Sequence, residues 1–198
     1  MLALVATLLL GALGAGLVSV TNTERAVAMN FRDAAETLYA AEVGAEYVLQ
    51  ELQASITWDD LLSGAATSTF SDGTLTPTLA SNRTITLASL TADLQAESDR
   101  QGGWGANNPA WQLVAHAPLG RVTGGGPAVP GYAAVWLADD PSETDGDPRR
   151  DANGVVLLRA QAFGRGRATR SLELVVARDA ASGPGRAAVR VLSWRVVR

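Results

Sequence analysis

Cysteine and lysine are both absent from the 198 residues, and histidine occurs once. Without cysteine there are no disulfide staples, no zinc–thiolate sites and no thiol nucleophiles. All 16 basic side chains are arginine, against 20 acids, for a formal net charge of −4. Proline does not occur before Pro77, and Gly44 is the sole glycine between Asn30 and Ile56. Nothing in the first quarter of the chain therefore breaks a helix. Catalytic signatures are missing too. There is no nucleophile-elbow sequence and no prominent carboxylate pair. The Gly-rich stretch Val122–Gly131 lacks the Lys-Ser/Thr and helix start of a phosphate cradle, and reads as a loop between strands. The lone histidine, His116, sits in an apolar strand-like run, where packing or hydrogen bonding is the expected role.

What is present begins with "MLALVATLLLGALGAGLVSV", twenty residues without a charge. A bilayer core of ~30 Å needs about 20 apolar residues at ~1.5 Å per residue, and this run meets that length. A cleaved secretory signal would open on a basic region, whereas no arginine precedes Arg25. Gly11, Gly14 and Gly16 fit either as ordinary membrane-helix residues or as points of close helix contact.

The pattern then changes without a break. Val27, Phe31, Ala34, Leu38, Ala41, Ala45, Val48 and Leu52 recur at alternating intervals of four and three. That spacing draws a narrow apolar stripe along one helical face, with Asp33, Glu36, Glu42, Glu46 and Glu51 lying off it. The spacing predicts one continuous helix from Leu2 to Ala54, about 80 Å long. Its stripe requires a partner, either a second helix or a sheet.

A sheet is available. Arg83–Leu87, Trp111–Ala117, Tyr132–Ala138, Val155–Phe163, Ser171–Ala177 and Ala187–Trp194 are short apolar or β-prone runs bounded by Gly, Pro or Asp. "GRGRATR" between the fourth and fifth is of hairpin length. The expected fold is α+β. A transmembrane half-helix (1–22) continues into an amphipathic half (23–54), which packs on an antiparallel β-sheet head (55–198).

The segment "TNTERAVAMNFRDAAETLYAAEVGAE" resembles the N-terminal motif of PilX-type minor pilins of type IV pili. The residues carrying the resemblance are Asn22, Glu24, Arg25, Ala28, Asn30, Arg32 and Asp33, then Ala40, Ala41 and Glu42. "GGWGANNPAWQLVAHAPLG" and "VRVLSWRVVR" are similar to PilX-like pilus assembly proteins as well. The resemblance implies a pilin-like fold and a non-enzymatic subunit that promotes pilus biogenesis and takes part in cell adhesion. It would be stored in the bacterial inner membrane and then built into the extracellular filament. Its partners would be other pilins, minor pilins and the assembly machinery, and Glu24, Arg25, Asn30, Arg32, Asp33 and Glu42 would belong to the assembly helix. Type IV prepilins carry a short basic leader ending in Gly and usually Glu at the fifth mature position. The sequence opens without such a leader and has Val5, so either a leader precedes Met1 or the N-terminus is degenerate. A minor pseudopilin of type II secretion, or an unrelated membrane-anchored enzyme or binding module, is the alternative.

Two charge features remain. "DDPSETDGDPRRD" holds Asp139, Asp140, Glu143, Asp145, Asp147 and Asp151 with Arg149 and Arg150, a net −4 that equals the charge of the whole chain. Such a loop is either solvated charge or a Ca²⁺ site, because calcium takes 6–8 oxygen ligands. No other cofactor is implied. Along the chain, residues 21–60 carry a net −6 and residues 159–198 a net +7. Either the basic strands meet the acidic helix, within or between subunits, or the arginines face DNA. DNA is the weaker expectation, because aromatic residues for base stacking are sparse there.

Overall fold

The computed structural model describes residues 1–79, 82–102, 107–121, 131–179 and 188–197. The Gly-rich stretch 122–130 lies outside them. Helix α1 runs unbroken from Leu2 to Ala54 over 53 residues, with no interruption between residues 22 and 23. Two of the hydroxyls in and just after its apolar part, those of Thr7 and Thr23, donate to the carbonyls of Leu4 and Ser19 at 3.0 Å each. The apolar half thereby presents few unsatisfied polar groups.

The helix stops where Ser55 turns extended at φ −87°, ψ 136°. Its last turn leaves carbonyls without intrahelical donors. Trp58 supplies one, its indole N–H reaching the Leu52 carbonyl at 3.0 Å, and the Ser55 hydroxyl reaches the Glu51 carbonyl at 2.8 Å. A single turn, α2 (Asp59–Leu62), then buries Leu61 and Leu62.

Strands β1 (Gln112–Pro118), β2 (Tyr132–Asp139), β3 (Val155–Phe163), β4 (Thr169–Asp179) and β5 (Ala188–Val197) form one antiparallel sheet in sequence order. Period-two alternation sorts its side chains. Ala133, Val135 and Leu137 of β2, Val156, Leu158, Ala160 and Ala162 of β3, and Leu172, Leu174 and Val176 of β4 face α1. There they meet Ala40, Ala41, Ala45, Val48, Leu49 and Leu52. The other face turns Tyr132, Ala134, Trp136 and Ala138 toward helix α3 (Leu87–Gln101). The extended segment around Phe70–Asp72 lines the β1 edge through His116, whereas β5 forms the opposite edge, with Val191, Leu192, Trp194 and Val196 exposed.

Small residues set the distance between helix and sheet. A methyl group on Gly44 would lie 3.3 Å from Val135 and 3.4 Å from Ala133, so the mid-helix glycine marks a close approach. Nearer the first buried turn, a Cβ on Gly164 would sit 2.0 Å from the Thr37 hydroxyl. Gly164→Ala is therefore expected to lower stability by about 1–3 kcal/mol. Thr37→Ala in the same chain should recover part of the loss, which a double-mutant cycle of thermal melts would measure.

Two sequence expectations need correction. Arg83–Leu87 is no strand: it contributes an isolated bridge between Thr78 and Thr84, and Leu87 already opens α3. The apolar stripe of α1 also meets the sheet along only part of its length. Ala41, Ala45, Val48 and Leu52 are buried, whereas Val27 and Phe31 are 63% and 78% exposed. The helix projects past the end of the sheet, and every residue from 1 to 32 is exposed.

Candidate functional site

The projecting part of α1 is the most unusual surface of the molecule. Its apolar window has a mean hydropathy of 2.2 with none of it buried, long and apolar enough to cross a membrane. Beyond that window the exposed apolar surface continues at Val27, Met29 and Phe31. Glu24, Arg25 and Asn30 are exposed beside them. The Arg32 guanidinium donates to Glu36 at 2.7 Å, one helical turn on. Asp33 is half-buried at the margin where the head begins, and Glu42 is half-buried within the stretch that packs on the sheet. Apart from the Arg32–Glu36 pair, these side chains form no shared cluster. They are spread along a helix surface, as residues of a contact face would be.

The acidic loop joins β2 to β3 and is organised by hydrogen bonds. Asp139 closes β2 in the alternation of Ala133, Val135 and Leu137, opposite the buried Val156. It is only 1% exposed. Asn107 donates to its Oδ2 at 2.9 Å, while its Oδ1 is buried with no hydrogen-bond partner. Burial, reinforced by the charge of Glu143, pushes the Asp139 carboxyl up to about 7. Asp140 accepts from the Asn153 amide at 2.6 Å and from the backbone of Ser142 at 3.0 Å. Glu143 accepts from the backbone N–H groups of Ala152 and Asn153 at 3.0 and 2.7 Å. Asp151 accepts from Gly154 N–H at 2.6 Å, and its own N–H donates to Asp59 at 3.1 Å. Gly154, at φ +77°, makes the left-handed turn that closes the loop. Burial raises the Asp151 carboxyl as well, opposed by the Gly154 hydrogen bond.

Of the six acids, the structure brings Asp139, Glu143 and Asp151 together, with one oxygen of each within 4.8 Å of the others. Asp145 and Asp147 stay exposed, accepting the N–H groups of Asp147 and Arg149 in local turns at 3.2 Å. Asn107 and Asp59 join the loop from 32 and 92 residues away. No local sequence pattern could have revealed either.

His116 is 7% exposed. Its Nδ1 lies 2.9 Å from the Tyr132 hydroxyl and 3.2 Å from Asp72, and that hydroxyl donates to Asp72 at 3.1 Å. Burial first, and the Asp72 charge second, push the Tyr132 phenol upward, which keeps it a neutral hydrogen-bond donor. This triad pins the Ser71–Thr74 segment to the sheet.

A groove of about 430 Å³ between α3 and the outer strands is walled by Leu94, Trp111, Leu157 and Val175. The charges crossing it are already paired. Glu173 takes Arg159 on one side and Arg195 on the other, the latter at 2.6 Å, and Glu97 lies 3.7 Å from Arg159. These arginines therefore find their carboxylates on the sheet face turned away from α1, and not on the acidic helix. Compared with family models, with characterised proteins and with solved structures, the chain matches none.

Proposed function

We propose that this chain is a membrane-anchored structural subunit of a helical filament, of the minor pilin kind. The observation that carries the reading is the division of α1. One unbroken helix has an apolar, unburied first half and a second half that forms the spine of the head. A plain anchor needs only the membrane-crossing part. Here the exposed apolar surface runs on past residue 20 through Val27, Met29 and Phe31 before the head begins. In a bundle of such helices that surface is covered by neighbouring subunits, and apolar burial contributes about 25 cal/mol per Å². The same rod then serves lipid before assembly and other helices after it. Arg159 and Arg195 are already paired within the subunit, with Glu173 and Glu97, whereas exposed acids of α1 such as Glu24 and Glu46 are left to face neighbouring subunits. The resemblance of residues 21–46 to PilX-type proteins favours a type IV pilus as the filament, and in this reading the head is periplasmic before export and extracellular afterwards. In this reading the chain needs no catalytic residue, and its partners are other pilins, the assembly machinery and the inner membrane.

Because the chain lacks cysteine, single cysteines can be introduced without background. A cysteine at Val27 or Phe31, labelled with a thiol-reactive photo-cross-linker, should cross-link to neighbouring pilin helices in surface filaments, which are then sheared off and analysed. Deleting the gene should reduce the number of filaments per cell. Absence of the chain from sheared filaments, together with unchanged filament number, would sink the proposal. Loss of protein secretion with filaments intact would instead place the subunit in a type II secretion pseudopilus.

A further inference from the structure

We propose that Asp139, Glu143 and Asp151, at the mouth of the β2–β3 loop, form a binding site for one divalent cation of the calcium type. The proposal is independent of the filament reading, since it concerns the head alone. One oxygen from each carboxylate lies within 4.8 Å of the other two. Oxygens sharing a calcium ion at 2.3–2.6 Å are separated by at most about 5 Å, so the three fit around one ion with little movement.

Proximity of acids is common on protein surfaces and carries no weight alone. The second observation is the state of Asp139. It is 1% exposed, and its Oδ1 is sealed from solvent without a single donor. Asn107, equally buried, also leaves its Oδ1 without a partner. A buried acceptor left unsatisfied costs roughly 1–3 kcal/mol, and more when it is charged. Hydrogen bonds from Asn107 and the Asp140 backbone relieve Asp139 only in part, because burial and the charge of Glu143 outweigh them. Among the described residues no arginine forms an ion pair with Asp139 or Glu143. Arg178 favours the Asp151 charge from a distance, but its guanidinium donates to the Ile56 carbonyl and lies 4.4 Å over the Trp58 ring. A cation at the centre of the three carboxylates supplies the missing charge.

The frame around the site is already set. The backbone N–H groups of Ala152, Asn153 and Gly154 orient Glu143 and Asp151, and the Asn153 amide holds Asp140. Glu143 Oε1 is taken up by two N–H groups, whereas Glu143 Oε2 and the carboxylate of Asp151 keep lone pairs for an ion. The ligand set is all oxygen, which selects hard cations over zinc or copper. Magnesium requires near-ideal octahedral geometry at 2.0–2.1 Å and keeps its waters, whereas three carboxylates held on an irregular loop suit the more flexible coordination of calcium.

The test uses the full chain in mild detergent, melted with millimolar calcium, with magnesium or with EGTA, and followed by near-UV circular dichroism. Calcium should raise Tm by on the order of 5 °C and magnesium by much less. Terbium luminescence, sensitised by tryptophan, should be displaced by calcium in the ~10⁻⁴–10⁻³ M range. Glu143→Gln should abolish both effects, and Asp139→Asn likewise. Asp145→Asn with Asp147→Asn should leave both intact. Because Glu143 lies at the surface of the loop, its variant carries the test even where Asp139→Asn fails to fold. A Tm indifferent to calcium, an equal response to magnesium, or a calcium shift that survives in Glu143→Gln overturns the proposal.

Discussion

Replacing Trp58 by alanine should lower the stability of the head by about 3–5 kcal/mol. Three contacts are lost together. The ring is completely buried in the core that α1 forms with the sheet. Its N–H satisfies the Leu52 carbonyl in the last turn of the helix, at 3.0 Å. Its face carries the Arg178 guanidinium at 4.4 Å. Alanine leaves a cavity, an unpaired carbonyl and an arginine whose stacking partner is gone. Trp58→Phe keeps most of the volume and the aromatic face but loses the N–H, so it should cost nearer 1 kcal/mol. Urea unfolding of the full chain in micelles separates the two variants. Hydrogen exchange should localise the first change to residues 49–54, the turn that the indole closes. An alanine variant within 1 kcal/mol of the natural chain would show that the end of α1 is held by something else.

The sequence made α1 readable because two independent signals agree there. Helix breakers are absent through residue 54 apart from isolated glycines, and the stripe from Ala34 to Leu52 keeps the helical period. The strands were readable for a similar reason, since each is a β-prone run cut by Gly, Pro or Asp. Helix α3 was not readable, and the reason lies in its inward face. Between Leu87 and Leu94, Thr91 accepts the Trp136 indole N–H at 2.8 Å, and farther on Ser98 accepts that of Trp111 at 2.7 Å. Polar residues at inward positions flatten the amphipathic pattern, although each is satisfied by an indole across the interface. The preceding run Arg83–Leu87 has the composition of a strand, but it finds no strand ladder to join.

The acidic loop was visible as composition and invisible as geometry. Counting acids finds six, but only the fold tells that Asp139 and Asp140 are the buried ones. Asp139 follows Ala133, Val135 and Leu137 at period two, so the alternation of β2 drives it toward the core. The roles of Asn107 and Asp59 depend on contacts across the fold. Gly44 shows the opposite case. By propensity it is a weak point of the helix, about 1 kcal/mol worse than alanine. The structure shows it seated against Val135 and Ala133, where a side chain would press on both.

Ala41→Leu should disturb the seating of the helix on the sheet. Ala41 is fully buried and Ala45 is 3% exposed, in a core where α1 faces Ala133, Ala160 and Ala162. Small residues on both sides hold helix and sheet close together, so added methylenes have no space to enter without moving the backbone. Overpacking of this kind costs about 1–3 kcal/mol and forces the rod to tilt or lift from the sheet. A leucine at the exposed Gln50, on the same helix, should cost no more than about 0.5 kcal/mol. The apolar half lies outside the head and is untouched by the change, so the Ala41 variant should still fractionate with membranes. A small angular change at Ala41 is amplified along the projecting helix, because residues 1–32 extend away from the head without other support. If the chain is a filament subunit, the variant should therefore reduce incorporation into filaments more than it reduces the amount of folded protein. The ratio of filament-bound to membrane-bound chain measures this, with the Gln50 variant as the reference. Equal ratios in the two variants would mean that the angle between rod and head does not matter for assembly.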